Sequence, residues 1–363
     1  TQIWSDVLNL TSVGVQDNFF ELGGNSLIAV RLMSLIQEKF QINLPLATLF
    51  QSPTIEQLAV VLGSDSSTTL WSPLVPIQPN GSLPPFFCVG GAGGNVLYFH
   101  HLARYLGGDQ PFYGLQAQGL DGETKPLESI EEIAGQYIKA IQTVQPVGPY
   151  FLGGHSFGGK IAFEMATQLQ RLGESVALVA ILDTSAPISE LNPKEDFATW
   201  DNARWICHMA GVLEELFGEN LQLSDDTLDS LTPEKQINYL KQQLEIVGVL
   251  PPQADIKLVR GLLQVYQTQC QIDYVPHNTS GTSITLFRAQ EVSEQENADH
   301  LSYDPAWGWN QFSDSEVEIH TVPGSHISMM SEPHVKVLGE KLQKSLEQAQ
   351  ANQTYVPQTD PKL

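Results

Sequence analysis

Two serines sit behind paired glycines: Ser156 in GGHSFGG (residues 153–159) and Ser26 in FFELGGNSLIAV (residues 19–30). The first matches G-x-S-x-G, the nucleophile elbow, in which a serine on a sharp strand-to-helix turn projects its hydroxyl above a sheet. PYFLGG before it reads as a strand and KIAFEMATQLQRL after it as a helix, the context that this chemistry needs. A serine hydroxyl is a poor nucleophile without a base and an orienting acid. In this architecture the partners follow in the order serine, acid, histidine. Of the nine histidines, His326 in VPGSHIS stands just past the strand VEIHTV, at the sheet edge where Ser156 emerges, and is preferred over His300. His155 adjoins the serine, but its side chain is expected to point elsewhere. Asp183, ending the strand VALVAILD, and Glu291, following SITLFRAQ, are both admissible acids by order. Asp183 is favoured because it follows an apolar run directly. Two backbone N–H groups must face the developing oxyanion. Phe157, after the nucleophile, is expected to supply one, and Ala92 in the GGAGG loop (residues 90–94) the other. That loop lacks G-x-G-x-x-G spacing and is not a dinucleotide fingerprint.

Ser26 admits three readings: a helix cap by Asn25 or Ser26, an anion site at a helix N-terminus, and a covalent phosphodiester steadied by the helix dipole. The local motif alone does not separate them.

These residues need scaffolds. Residues 1–63 read as helical, with Ile28, Leu32, Leu35 and Ile36 on one face. Leu27 and Val30 fall opposite and suggest a docking surface. Residues 64–73, rich in Ser, Thr and Asp, read as a linker. Residues 74–350 alternate short apolar runs with helical patterns, which predicts a mostly parallel sheet covered on both faces. A long gap in that rhythm, residues 188–275, has helical patterns of its own and is expected to form a lid. Residues 351–363 read as an unstructured tail. The chain has 18 basic and 41 acidic residues, a net charge of −23. Such a charge disfavours nucleic acid and anionic membrane partners. Three cysteines without paired spacing fit a reducing, cytoplasmic setting and no metal site. No signal peptide or spanning apolar run is expected, and the absence of an initiating Met suggests a piece of something longer.

DNFFELGGNSL resembles the attachment site of a carrier (thiolation) domain. VGGAGG, GGHSFGG, LDTSAP and VPGSH resemble the oxyanion loop, elbow, acid and histidine segments of a type I thioesterase. Together they are similar to the terminal carrier–thioesterase pair of a nonribosomal peptide synthetase or a mixed peptide–polyketide synthase. The resemblance implies a small all-α carrier bundle joined to an α/β-hydrolase domain with a helical lid. It implies 4′-phosphopantetheine on Ser26, placed there by a phosphopantetheinyl transferase, a tethered acyl or peptidyl thioester as substrate, and upstream synthetase domains as partners. It places the acid at Asp183, not Glu291. Related thioesterases often have His-Pro where this chain has Gly90-Gly91, a change that spares backbone donors. The expected activity is release of the finished chain by hydrolysis or macrocyclisation. An editing thioesterase, a small-ester hydrolase and a non-catalytic module are the alternatives. The apolar lid, with Trp200 and Trp205, suits a hydrophobic acyl chain and, equally, ordinary packing within the lid.

Overall fold

The computed structural model describes residues 1–24, 26–40, 42, 44, 48–63, 71–188, 196–250, 254–276, 283–291 and 304–353. Asn25, His300, most of the expected linker and the last ten residues lie outside these, as do the side chains of Ser26, Leu27 and Val30.

The N-terminal region is helical: α1 (Gln2–Leu8), α2 (Ser26–Phe40), α3 (Thr48–Gln51) and α4 (Ile55–Gly63). Leu32 and Ile36 of α2 are buried together with Trp4, Phe19, Leu49 and Leu58, as their one-turn spacing requires. Phe20 packs on this cluster and also on the larger region beyond it, where its ring centroid lies 5.8 Å from that of His100.

That larger region begins with β1 (Leu74–Gln78) and continues through β2 (Phe86–Val89), α5 (Phe99–Tyr105), β3 (Phe112–Leu115), α6 (Ile130–Ile141), β4 (Tyr150–His155), α7 (Phe157–Arg171) and β5 (Val176–Leu182). Four helices follow: α8 (Asn202–Phe217), α9 (Asp225–Asp229), α10 (Pro233–Ile246) and α11 (Ile256–Gln271). The chain then returns to the sheet with β6 (Ile284–Ala289), β7 (Glu318–Val322) and the closing helix α12 (His334–Ala351). The strand order is β1-β3-β2-β4-β5-β6-β7. β1 runs antiparallel to β3, and the remaining pairs are parallel.

Consecutive strand residues point to opposite faces, so a sheet covered on both sides needs apolar residues at nearly every position. Phe87, Val89, Leu152, Val179 and Leu286 meet α6 and α7 on one face. Phe86, Cys88, Phe151, Leu178 and Phe287 meet α5 and α12 on the other. β1 is absent from the sequence-based reading. Pro76 interrupts its apolar pattern and is tolerated only because β1 is an edge strand. Ala351 still belongs to α12, so the expected tail starts too early at that residue.

Helices α8 to α11 build a core of their own from Trp205, Ile206, Met209, Leu240, Leu263 and Tyr266. Their caps are local. Asp201 accepts from the Arg204 N–H at 2.9 Å, Asp255 accepts from the Lys257 N–H at 3.0 Å, and Gly218 ends α8 at φ 69°. Ala92 of the GGAGG loop packs against this second core, which places the helical insertion over the carboxyl ends of the strands.

Candidate active site

Ser156 joins β4 to α7 at φ 55° and ψ −128°, a strained conformation for a residue with a Cβ. Its surroundings over-determine it. The Ser156 N–H donates to Leu182 O at 3.0 Å, and Ser156 O accepts from Thr184 Oγ1 at 2.6 Å. The glycines around it are sterically required. A Cβ on Gly154 would lie 2.0 Å from Gly158 O, and one on Gly158 would lie 2.4 Å from Val89 O. The turn can close this tightly only because both positions lack a side chain.

His326 and Asp183 converge on this turn. His326 Nε2 lies 2.9 Å from Ser156 Oγ, and His326 Nδ1 lies 2.8 Å from Asp183 Oδ2. Asp183 is buried. Its other oxygen accepts from the Ala289 N–H at 2.5 Å, and its own N–H donates to Phe287 O at 2.8 Å. The carboxylate is thus aimed by the next strand, β6, as well as by β5. Nδ1–H on His326 is the tautomer that this pairing selects, which makes Nε2 the acceptor for the serine proton. Glu291, the other acid weighed, is exposed and is held by its backbone, its N–H donating to Gly324 O at 3.0 Å. It takes no part in the cluster.

The loop with Ala92 passes directly above the elbow. A Cβ on Gly91 would lie 3.3 Å from that of Ser156. Phe157 is the first residue of α7, and its N–H has no acceptor within the helix. The lid reaches both halves of the cluster. Gln269 of α11 accepts from the Gly93 N–H at 2.9 Å, and Glu215 of α8 accepts from Ser325 Oγ, beside His326. No sequence pattern marks Gln269 or Glu215, because each acts across more than a hundred residues of chain.

His155 bonds the His326 carbonyl, its Nε2 lying 2.8 Å from that oxygen, whereas His208, His320 and His100 stand apart from the cluster. His208 meets the Tyr266 hydroxyl at 2.8 Å within the lid. His320 stands in β7 with Nε2 3.0 Å from Glu318 Oε1. His100 is buried, and burial together with the neighbouring His101 pushes its pKa down to about 3.

At the carrier end, Gly23 has φ 96°. A Cβ on Gly24 would strike the Phe19 ring at 2.3 Å, so the tight corner ahead of α2 depends on both glycines. Ser26 opens that helix. A serine at the first turn of a helix fits a phosphodiester, because free backbone N–H groups and the helix dipole both favour the negative charge.

Comparison with known proteins agrees with this division. The family described as "Thioesterase domain" matches residues 84–346, and "Phosphopantetheine attachment site" matches residues 1–62. Chondramide synthase of Chondromyces crocatus is 32% identical over 361 residues, covering 98% of this chain and 9% of that protein. Indigoidine synthase of Dickeya dadantii is 32% identical over 352 residues, 94% of this chain and 22% of that protein. This chain therefore spans a small fraction of the curated relatives that it matches. A four-domain nonribosomal peptide synthetase, solved in its holo form with AMP and glycine, aligns with TM-score 0.69 and 28% identity over 94% of this chain and 25% of that one. The chain belongs to the thioesterase domain family, joined behind a phosphopantetheine attachment domain.

Proposed function

We propose that this chain releases an acyl or peptidyl group from its own carrier domain, with Ser156 as nucleophile, His326 as general base and Asp183 as the orienting acid. The observation that supports it best is the bridge made by one imidazole, 2.9 Å from Ser156 Oγ and 2.8 Å from Asp183 Oδ2, in a chain that also has a phosphopantetheine attachment domain. Ser26 is the proposed attachment residue. The bound arm supplies the thiol on which the acyl chain is held as a thioester.

His326 Nε2 takes the proton of Ser156 Oγ as the oxygen attacks the thioester carbonyl. The resulting oxyanion is stabilised by the N–H groups of Ala92 and Phe157. The carbon–sulfur bond then breaks, the thiol leaves and the acyl group stays on Ser156. A thiol of pKa about 8.5 is a good leaving group, so the first half-reaction demands little acid assistance. In the second half His326 deprotonates water, giving an acid, or an internal nucleophile, giving a ring. Tethering raises the effective concentration of the substrate, so weak domain contacts suffice. The lid, hydrogen-bonded to Gly93 and packed on Ala92, sets how much water reaches the ester. Upstream synthetase domains and a phosphopantetheinyl transferase are the proposed partners. Among the described residues no helix is long and apolar enough to cross a membrane.

Intact-mass analysis after mixing the full chain with an acyl N-acetylcysteamine thioester tests this reading. An acyl mass increase that maps to Ser156 supports it. Rapid turnover by a Ser156→Ala variant overturns it.

A further inference from the structure

Behind the nucleophile lies a chain of polar groups that acyl transfer does not itself use. The Gly91 N–H donates to Tyr98 Oη at 2.9 Å. Tyr98 Oη lies 3.2 Å from His155 Nδ1. His155 Nε2 lies 2.8 Å from His326 O. The two ends, with the ring neutral, fix the direction of every bond between them. An amide N–H only donates and a carbonyl oxygen only accepts. The Tyr98 hydroxyl therefore accepts from Gly91 and donates to Nδ1, and Nε2–H donates to the His326 carbonyl. A single neutral tautomer satisfies the whole chain.

We propose that Tyr98 and His155 form a buried strut that holds the oxyanion loop and the His326 loop in fixed register, making both positioning residues for acyl transfer. This rests on the roles given above to Ser156, His326 and Ala92. Three segments distant in sequence are tied by two side chains, and the tie ends on the backbone of both catalytic loops. The Gly91 N–H is one peptide away from the Ala92 N–H. The His326 carbonyl belongs to the residue whose ring serves as base. A shift at either end is therefore transmitted to the reacting groups.

Two features argue against ordinary core filling. His155 is 3% exposed, so water cannot replace its bonds, and either end left unpaired would cost the full desolvation of a buried polar group. An apolar side chain would fill the same space but leave both loops untethered. Burial and the nearby His326 also push the His155 pKa down to about 3, which keeps the strut neutral and intact at working pH. The rings are ordered around it. His155 stacks on His326 with centroids 5.1 Å apart at 28°, and it meets Tyr98 edge-on at 5.7 Å and 71°.

The test uses the full chain and four variants: Tyr98→Phe, His155→Leu, the two combined, and His155→Gln, whose amide can both donate and accept. Hydrolysis of an acyl N-acetylcysteamine thioester is measured beside the thermal midpoint. Tyr98→Phe and His155→Leu are expected to lower kcat by about 10- to 100-fold, the scale of small misplacements of reacting groups, with KM within about twofold. The double variant should be no worse than the weaker single, because one broken link already frees the loops. His155→Gln should regain part of the loss. Turnover of Tyr98→Phe within about twofold of wild type overturns the strut, as do losses that multiply in the double variant. So does a loss confined to KM, or one explained by unfolding at the assay temperature. A fluorophosphonate separates this from the underlying reading. Wild-type chain left unlabelled at Ser156 defeats the assigned chemistry, whereas labelled Ser156 with undisturbed variants defeats only the strut.

Discussion

Ser26 and Ser156 both stand where a glycine-rich corner meets a helix, yet the two corners are built to different tolerances. At the elbow every backbone neighbour is constrained. Ser156 is held at positive φ by Leu182 O and Thr184 Oγ1, and backbone oxygens lie within 2.4 Å of where Cβ atoms on Gly154 and Gly158 would stand. At the carrier corner, a Cβ on Gly23 would meet nothing within 4 Å, and Gly24 is confined by the ring and the carbonyl oxygen of Phe19. A nucleophile must meet a base and two oxyanion donors to within tenths of an ångström. An attachment serine needs only a helix start and access for the enzyme that modifies it.

The largest effects separate the two serines outright. Ser156→Ala is expected to cut kcat on a soluble thioester on the order of 10⁶-fold while leaving transfer of the arm from coenzyme A unaffected. Ser26→Ala should do the reverse: intact-mass analysis should find no arm added, with soluble-thioester turnover unchanged. Loss of both activities in either variant would break the comparison. Asp183→Asn removes the acceptor that sets the His326 tautomer and is expected to lower kcat about 10⁴-fold, with the midpoint nearly unchanged.

Paired glycine substitutions sharpen the contrast in tolerance. Gly158→Ala drives a Cβ into Val89 O and should cost about 3 kcal/mol in the denaturation of the sheet region. Gly23→Ala, strained only by its φ of 96°, should cost about 1 kcal/mol. Equal losses would show that the corners are built alike.

A pH effect concerns two imidazoles of the sheet region: His155 beneath the elbow and His100 of α5, beside Phe20. Burial pushes the pKa of each to about 3 in the fold, against about 6.5 in the unfolded chain. The unfolded state therefore binds more protons between these values, and stability falls as pH drops below about 6.5. Each group should contribute about 1.4 kcal/mol per pH unit over that window. Denaturation followed from pH 7 to 4 should show the slope, and His155→Gln should remove one share of it.

Local chemistry made much of this legible in the amino-acid order. The apolar runs that became β2 to β6 stand out because a sheet covered on both faces permits no polar alternation, whereas β7, at the sheet edge, alternates and is largely exposed. The G-x-S-x-G turn announces itself because only glycine fits there. Its place at a strand end favours Asp183 over Glu291, and the structure brings it, not Glu291, to His326. β1 is illegible in the sequence because an edge strand tolerates a proline, which breaks its apolar pattern.

What the linear order alone determined is most of the elements and the proposed reacting groups, because helix period, strand alternation and turn chemistry act between near neighbours. The tertiary structure decided how groups far apart in sequence meet: Gln269 on Gly93, Glu215 on Ser325, and Tyr98 with His155 between two loops. Those contacts leave no periodic trace, since they depend on which strands lie side by side. His155 illustrates the limit. Its place beside Ser156 leads the sequence to expect a side chain pointing elsewhere, but only the packed sheet shows that its ring stacks on that of His326 and bonds the backbone carbonyl of that residue.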